Sequence, residues 1–507
     1  MVVAVCACGP PRAPGEPSWI ERDASRAHAI APGSPASPAG PAIDPARIDD
    51  TDEAAVREAL EALGDRAPAG KLALRAARLA HHRGDDAEAQ RLLADAARAA
   101  DAAEVAAAAS ALARELVTTP VDPALIAVLL PLSGPYAGLG GELRAAIELA
   151  PAAGTRWLYL DTHGTPDGAA AAVDAAVVRG AIGLLGPVGQ REAIAAARAA
   201  ALHGVPIGLL APADGADAGA GVFRLVASPA DEGRAVAQLA AQDSFPTVAV
   251  LAPRDDVGRN AADGFVEEAT RLGLQVTAQG SYDPTGGDVE ADVKAFLGLV
   301  PAKNSRLAAH LARHGKSGWT TFSPDVPFTL LYLPDRYDRA AIVAAFLPYY
   351  NVELRTGEPP DLDRLARKHG GHIPQVVQLI GGAGWHHPSL PVRGGPALQG
   401  ALLVDDFAGD LGADLAVEFS AAFQRRTGRA PSTAAAEARD AAALLAAART
   451  QAVSAASTSP RAALRAALAH ARLDDGACGP AAIAPDGELE RTPSVLEVQG
   501  DALILAP

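Results

Sequence analysis

From about residue 122 onward, short apolar runs alternate with amphipathic stretches of helical length. This alternation is typical of βαβ units, which place helices over both faces of a parallel sheet. The run at 126–130 is continuously apolar, as expected of a strand that helices cover on both sides. The chain therefore predicts an α/β fold built from doubly wound parallel sheets. Strands are predicted at 126–130, 157–160, 182–185, 206–209, 222–226, 247–251, 275–278, 329–333, 376–380 and 401–404.

The loop after the first predicted strand, residues 131–136, reads PLSGPY. Open α/β sheets bind ligands in a crevice beyond the carboxyl ends of their strands, and this loop lies at such an end. It offers the hydroxyl of Ser133, free backbone amides and the ring of Tyr136, and it holds no nucleophile paired with a base. The loop suits contact with a small ligand or with a partner.

Length and charge limit what the chain can be. Its 507 residues exceed one ordinary domain, so a two-lobed body with an added module is expected. Forty-four basic and 60 acidic residues give a net charge of −16, which leaves no excess of Lys and Arg to neutralise a nucleic acid. The cysteines Cys6, Cys8 and Cys478 form no disulfide framework.

The amino-terminal residues predict an anchor followed by a tether. Residues 1–8 resemble the end of a truncated bacterial lipoprotein signal, with Ala7 before Cys8 and a glycine after it, so Cys8 is the candidate lipidated residue. The alternative is an unmodified start, because a basic segment and a full apolar stretch are missing. Residues 9–50 are rich in Pro and lack periodicity, which predicts a disordered tether.

Residues 51–119 are rich in Ala and Leu at helical spacing. The stretch from Lys71 to Ala100 predicts two helices joined at Gly84 and Asp85, and it resembles a tetratricopeptide-type hairpin without the full repeat signature. A plain helical spacer and a partner-binding module are both compatible with this pattern. Further along, 302–327 is predicted to be an insertion, and turn signals after residue 485 predict a closing β-meander.

The order of elements from about residue 122 to the end resembles the periplasmic binding protein type I fold of leucine-type receptors. The segments that carry the resemblance are IAVLLPLSGPYAGLG, GLLGPVGQREAIAAARAAALHGVPIG and VFRLVASPADEGRAVAQLA. The resemblance implies a first lobe from 122–225 plus 405–475 and a second lobe from 226–404 plus 476–507. A narrower resemblance, carried by FTLLYLPDRYDRAAIVAAFLPYYNVEL and VVQLIGGAGWHHPSL, is to penicillin-binding protein activator lipoproteins.

The chain departs from the amino-acid receptors at the positions that hold the ligand's charged groups. Where that family places serine and threonine hydroxyls, this chain has Gly189 and Gln190, and then Ala211 to Ala213. A buried charged ligand without partners would cost several kcal/mol. A free amino acid is therefore not the expected ligand.

The candidate cleft residues lie at the predicted strand ends. Glycines before the helix at Gln190 could present amides to an anion, or could simply form a tight turn. Trp385 is expected to face the cleft and contact a ligand or partner. The full set is Ser133, Gly134, Tyr136, Gly186, Pro187, Gln190, Ala211, Asp256, Asp335, Trp385 and His386.

No pattern in the chain indicates catalysis, a metal or a cofactor. The paired histidines lack ligand spacing, and neither a nucleophile elbow nor a phosphate-binding lysine motif is present. The leading hypothesis is a non-enzymatic, outer-membrane-anchored periplasmic lipoprotein that contacts a protein of the cell envelope, such as a peptidoglycan synthase. The alternative is the substrate-binding component of an ABC importer, which takes a small solute and docks on a permease.

Overall fold

A computed structural model of the chain describes residues 48–51, 53–82, 85–118, 121–211, 221–286, 288–358, 360–454 and 460–506. The predicted signal segment, Cys8 and nearly all of the predicted tether lie outside the described residues, and so does Gly84. None of the described helices is both long enough and apolar enough to cross a membrane.

In the described residues before the sheets, four α-helices share small apolar cores of their own, built around Leu72, Ala77 and Leu112. The side chain of Asp85 caps the third helix by accepting from the amide of Glu88 at 3.0 Å. The tetratricopeptide-like character of this segment stays a prediction. The helices are α1 (Glu53–Leu63), α2 (Ala69–His82), α3 (Asp86–Arg98) and α4 (Ala102–Thr118).

The first lobe is built on five parallel strands in the order β2-β1-β3-β4-β5. Helices cover both faces, which explains why its central strands are apolar throughout. The elements are β1 (Asp122–Leu130), α5 (Ala137–Ile147), β2 (Arg156–Asp161), α6 (Pro166–Val178), β3 (Ala181–Leu185), α7 (Gln190–Leu202), β4 (Ile207–Leu209) and β5 (Val222–Arg224).

The second lobe contains a seven-strand path in the order β16-β15-β11-β10-β8-β6-β7, with β9 beside β10. Its strands β6 to β11 are parallel, and β15 and β16 close one edge antiparallel. The elements up to β11 are α8 (Pro229–Gln242), β6 (Thr247–Pro253), α9 (Asp256–Arg271), β7 (Gln275–Tyr282), α10 (Val289–Phe296), α11 (Ser305–His314), α12 (Gly318–Thr321), β8 (Leu330–Leu333), α13 (Tyr337–Tyr349), β9 (Glu353–Leu354), α14 (Leu362–Lys368), β10 (Val376–Gly381), α15 (Leu390–Gly394) and β11 (Leu402–Asp405).

After β11 the chain returns to the first lobe and then divides its last strands between the lobes. Leu445 and Leu464, on the helices of this segment, pack with Ile126 and Val128 of the first sheet. The elements are α16 (Asp414–Thr427), α17 (Thr433–Ser454), α18 (Pro460–Leu468), β12 (Arg472–Leu473), β13 (Ala481–Ile483), β14 (Leu489–Arg491), β15 (Ser494–Gln499) and β16 (Ala502–Leu505).

The structure differs from the predicted meander, which assigned all of 476–507 to the second lobe. Strands β12 to β14 form a separate three-stranded sheet, and Ile483 and Leu489 pack into the core of the first lobe. The amide of Arg224 in β5 also donates to the carbonyl of Gly487 at 2.9 Å. Apolar contact with the first lobe decides the position of these strands, and only β15 and β16 join the second sheet. The predicted α/β fold class is confirmed.

The helical segment docks on the outer helical layer of the first lobe. Arg75 of α2 is buried, and its guanidinium donates to the carbonyl of Ala201 in α7. α7 lies on one face of the first sheet, and α5 and α17 lie on the other. The strand side chains that pack with α7 differ from those that pack with α5 and α17. The segment therefore belongs to the body of the first lobe.

Candidate functional site

Each sheet reverses its winding at one point, and such a point marks a crevice for a ligand. In the first lobe, β1 leads into α5 on one face and β3 leads into α7 on the other, so the crevice opens between the loops at 131–136 and 186–189. In the second lobe, β6 and β8 lead to opposite faces through the loops at 254–255 and 334–336. Both crevices lie at the carboxyl edges of their sheets.

The two carboxyl edges face each other because the crossings between lobes are short. Strand β5 ends at Arg224 on the carboxyl edge of the first sheet, and α8 begins at Pro229 on that of the second. The side chain of Glu232, in the first turn of α8, accepts from the hydroxyl of Tyr332 at 2.6 Å and from the amide of Ala383 at 2.8 Å. Four residues, 225–228, thus join one edge to the other, and the two facing edges border a cleft between the lobes.

On the first lobe, the cleft rim is formed by two loops in contact. Tyr136 is 56% exposed, and its ring lies over Gly164, where an added Cβ would come within 2.8 Å of it. Beside it, the Oγ of Ser133 lies 2.7 Å from the Nδ1 of His163. The rim therefore offers one accessible aromatic face and one exposed imidazole, while the Ser133 hydroxyl is held by a neighbour.

Ser133, His163 and Asp161 are close together but do not form a catalytic relay. The Nδ1 of His163 faces both the Oγ of Ser133 and, at 3.1 Å, a carboxylate oxygen of Asp161. A relay needs one ring nitrogen for the nucleophile and the other for the acid. Burial alone would raise the pKa of Asp161, but hydrogen bonds from Ser133 and the amides of His163 and Leu132 hold that pKa below its usual range. The carboxylate acts as a loop anchor.

The glycine turn after β3 does not leave its helix free for an anion. Gly186 and Pro187 are buried, and an added Cβ at Gly186 would meet the carbonyl of Leu129 at 2.3 Å. The carboxylate of Glu192 lies beside Gly189 and accepts from the hydroxyl of Thr162 at 2.6 Å. A carboxylate already occupies the first turn of α7, so the tight-turn interpretation fits better. Gln190 is exposed at the rim.

Three further candidates differ in how much they can reach a ligand. Ala211 is fully buried at the end of β4, so its methyl group cannot touch a solute. Asp256 is 85% exposed and pairs with Arg259 on the solvent side of α9. Asp335 is nearly buried and accepts from the hydroxyl of Tyr282 and the amide of Arg336, and burial raises its pKa. Of these side chains, only that of Asp256 is freely accessible.

The prediction that Trp385 faces the cleft is wrong. Its indole is fully buried in the core of the second lobe, and its Nε1 donates to the carbonyl of Leu333 at 3.1 Å. The ring lies directly over Gly381, where an added Cβ would come within 2.0 Å of it. Because Gly381 has no side chain, the ring folds back onto the end of β10 instead of projecting outward.

His386 connects the second lobe to the crossing after β11. Its Nδ1 lies 2.6 Å from a carboxylate oxygen of Asp405, which also accepts from the hydroxyl of Thr433 at 3.0 Å. The adjacent His387 stacks on Tyr337, with ring centroids 3.8 Å apart. The two histidines point to different places, as adjacent residues do, and His386 positions the crossing.

Buried charges connect the three crossings. Asp406 lies 3.5 Å from a nitrogen of Arg491, and Asp440 lies 3.6 Å from the other nitrogen of this guanidinium. Asp440 also accepts from the amides of Ala477 and Cys478, both at 2.8 Å. Arg491 therefore joins the crossing after β11 to the one after β14.

Acids outnumber bases in this network. Glu437 accepts from the amide of Ala227, in the crossing after β5, at 3.3 Å. Burial, with the charge of Asp406, raises the pKa of Glu437 to about 8. Burial likewise raises the pKa of Glu232 to about 7. Two buried carboxyl groups beside the crossings thus have pKa values raised to near or above neutral pH.

The sequence prediction missed His163, Asp161 and the acids of the crossings. Asp161 is the last residue of β2 and His163 follows two residues later, so the rule that strand ends carry the site could have found them. Glu232, Glu437 and Arg491 come from distant segments and give no local signal. In the described part of the chain, no group of three or more His, Cys, Asp or Glu side chains is arranged to hold a metal ion.

The sequence matches the family described as periplasmic binding proteins over residues 123–298 and 362–502, more than half of the chain. The chain belongs to the periplasmic binding protein family. The match begins after the helical segment, and the predicted type I periplasmic binding protein body is confirmed. Members of this family bind ligands, and their periplasmic location agrees with the predicted one. No curated protein matches the sequence.

Three solved structures illustrate the likeness of fold. A protein described as a branched-chain amino acid ABC transporter from Rhodospirillum rubrum is 22% identical, with a TM-score of 0.58, and the match covers 75% of this chain and 99% of that one. An ABC transporter substrate-binding protein from Sphaerobacter thermophilus is 16% identical, with a TM-score of 0.54 and coverage of 76% and 97%. An extracellular ligand-binding receptor from Rhodopseudomonas palustris is 17% identical, with a TM-score of 0.51 and coverage of 75% and 99%.

Proposed function

We propose that this protein binds a small solute between its lobes, as the solute-binding component of an ABC importer. The observation that carries the proposal is the pair of switch-point crevices, one on each lobe, set face to face by three short crossings. Closure of the lobes would bury a solute from both sides, and the closed form would be what a permease recognises. Neighbours described as transporter components support this proposal over a purely structural role.

The accessible groups favour a solute with an apolar or aromatic part. Tyr136 presents an open ring face, and Val188 and Leu132 flank the crevice with apolar side chains. The hydroxyl positions that would hold an amino acid's charged groups are Gly189 and Ala211. The solute would be held by ring stacking and backbone amides rather than by a ring of hydroxyls.

A ligand screen on the Tyr136→Ala variant tests this function. The full chain would be heated with aromatic carboxylates, amino acids, short peptides and sugars, and melting would be followed by fluorescence. A true ligand raises the melting temperature, since it binds only the native state, and a concentration of about 100 times Kd adds about 2.7 kcal/mol of stability. We expect Tyr136→Ala to weaken binding of that ligand at least tenfold by calorimetry.

Tyr349→Ala is the matched control, because Tyr349 is 55% exposed and lies on α13, away from the cleft rim. It should bind the ligand as the parent does. Equal weakening by both variants, or no ligand in the screen, would remove the support for solute binding.

A second candidate is a regulator of an envelope enzyme, like the penicillin-binding protein activators. The helical segment favours it, since α2 contacts the carboxyl-terminal end of α7, which lies at the opposite edge of the first sheet from the cleft. An outer-membrane anchor through Cys8 belongs to this candidate. Palmitate labelling lost on Cys8→Ala, and co-purification with the periplasmic part of a peptidoglycan synthase, would support it if no solute changes the melting temperature.

A further inference from the structure

Helix α11 of the second lobe carries two histidines four residues apart, His310 and His314. Residues at this spacing lie on one face of a helix. The two rings are neighbours, with centroids 4.4 Å apart and planes inclined by 32°. The same spacing presents the two zinc-binding imidazoles of the HExxH motif. The pair can therefore chelate one metal ion, which the adjacent His386 and His387 cannot.

The separation of the two rings fits a shared ion. Two imidazoles on one ion, at metal–nitrogen distances of about 2.0–2.1 Å and an angle between a right angle and the tetrahedral one, place their ring centroids about 4.5–5 Å apart. The observed 4.4 Å comes within a small side-chain rotation of this arrangement. His314 can supply the rotation, because it is exposed at the last residue of α11.

The ring of His310 is held in place by its neighbours. Its Nε2 lies 3.0 Å from the Oγ1 of Thr321, and that hydroxyl donates to the carbonyl of Ser317 at 3.1 Å. Because the hydroxyl proton is already used, Nε2 is the donor to Thr321, and Nδ1 keeps the lone pair that a metal ion needs. The ring also meets the buried Phe322 edge-on, with centroids 5.5 Å apart. The side chain of His310 therefore loses little freedom when an ion binds.

The charges near the pair oppose a cation only in part. Lys316 is exposed just beyond α11. Arg306 is paired with Asp325 at 2.9 Å, and the guanidinium of Arg313 donates to the carbonyl of Ala309 at 3.3 Å. The pair also lies in the last turn of α11, where the carbonyl end of a helix favours positive charge. The donors at this place are imidazole nitrogens, which exclude hard cations such as Ca²⁺ and Mg²⁺ and suit softer ones.

We infer that His310 and His314 together bind one late first-row divalent metal ion, through one nitrogen of each ring. Imidazole nitrogen suits Cu²⁺, Ni²⁺ and Zn²⁺, and the general order of affinity places Cu²⁺ first. Two protein ligands leave the remaining coordination positions to water or to a donor group of another molecule. The inference does not depend on solute binding in the cleft.

Titration of the full chain with Cu²⁺, followed by calorimetry and by electron paramagnetic resonance, tests this inference. The C6S/C8S background removes two thiols that could bind copper themselves. We expect a Cu²⁺ site whose spectrum shows imidazole nitrogens, weaker binding of Zn²⁺ and no competition from excess Mg²⁺. Because chelation makes the second bond intramolecular, H310Q and H314Q should each weaken binding of Cu²⁺ to this site by about tenfold or more.

Two further variants make the result specific. H372Q removes an exposed histidine outside α11 and should bind Cu²⁺ as the parent does. H314K/K316H keeps composition and charge but moves the second histidine beyond the end of α11, so it should bind as weakly as H314Q. Parent-like binding by H310Q, H314Q or H314K/K316H, or equal weakening by H372Q, would each overturn the inference.

Discussion

At the scale of single residues, Gly381 decides where the largest side chain of the second lobe goes. The buried indole of Trp385 covers its Cα, and an added Cβ would come within 2.0 Å of the ring. We expect Gly381→Ala to displace the indole and its bond to Leu333, and to destabilise the fold by about 2–3 kcal/mol. Urea denaturation followed by tryptophan fluorescence measures this change.

Gly138→Ala is the matched control for this substitution. Gly138 lies within α5 and has open space where its Cβ would be. Alanine there should stabilise the helix by about 0.5–1 kcal/mol. Two similar midpoints, or a more stable Gly381→Ala variant, would contradict this account of Trp385.

Residue by residue, sequence reasoning found the site best where strand ends define it. Ser133 and Tyr136 follow a recognisable buried strand, so their position at the sheet edge could be predicted. The same rule failed for Trp385, because no local sequence pattern indicates that the indole folds back over Gly381. It also failed to find Glu232 and Glu437, since their contacts depend on tertiary packing.

At the scale of elements, the contact between α2 and α7 fixes the helical segment to the first lobe. Arg75 is buried there and donates to the carbonyl of Ala201. Removing the guanidinium takes this hydrogen bond from the carbonyl of Ala201 and opens space between α2 and α7. We expect Arg75→Ala to destabilise the docked segment by about 1–3 kcal/mol and to speed proteolysis between α4 and β1.

Arg78→Ala on the same helix provides the control, since its ion pair with Asp49 at 3.8 Å is partly exposed and should contribute little. Cleavage after α4 should then proceed at the parent rate. If Arg75→Ala also resists cleavage, the segment is held by its apolar contacts alone.

Most helices and strands could be predicted from the sequence, but the lobe to which each of the last strands belongs could not. Continuous apolar runs predicted the parallel strands, because burial on both faces leaves that pattern. Strands β12 to β14 are short runs, as are β15 and β16, and a Gly-containing turn precedes the last strand of each group. Which sheet each joins depends on contacts such as Ile483 with the first core, which periodicity cannot report.

At the scale of the whole molecule, the raised pKa values of two buried acids beside the crossings connect stability to pH. Burial raises the pKa of Glu437 to about 8 and that of Glu232 to about 7. In the unfolded chain both would titrate near 4.3. The native state therefore holds protons that the unfolded state has lost, and this contribution to stability is complete below about pH 4.3 and is lost as pH rises through 7 to 8.

The free energy of unfolding should consequently fall between pH 5 and pH 8, by about 1.4 kcal/mol for each pH unit over which one of these carboxyls keeps its proton in the native state alone. Glu437→Gln keeps an acceptor for the amide of Ala227 and cannot ionise, so it should flatten this fall and be more stable than the parent at pH 8. Urea midpoints at several pH values measure the effect, and Glu490→Gln, at an exposed position of β14, should leave the slope unchanged. A Glu437→Gln slope equal to that of the parent would show that other groups set the pH response.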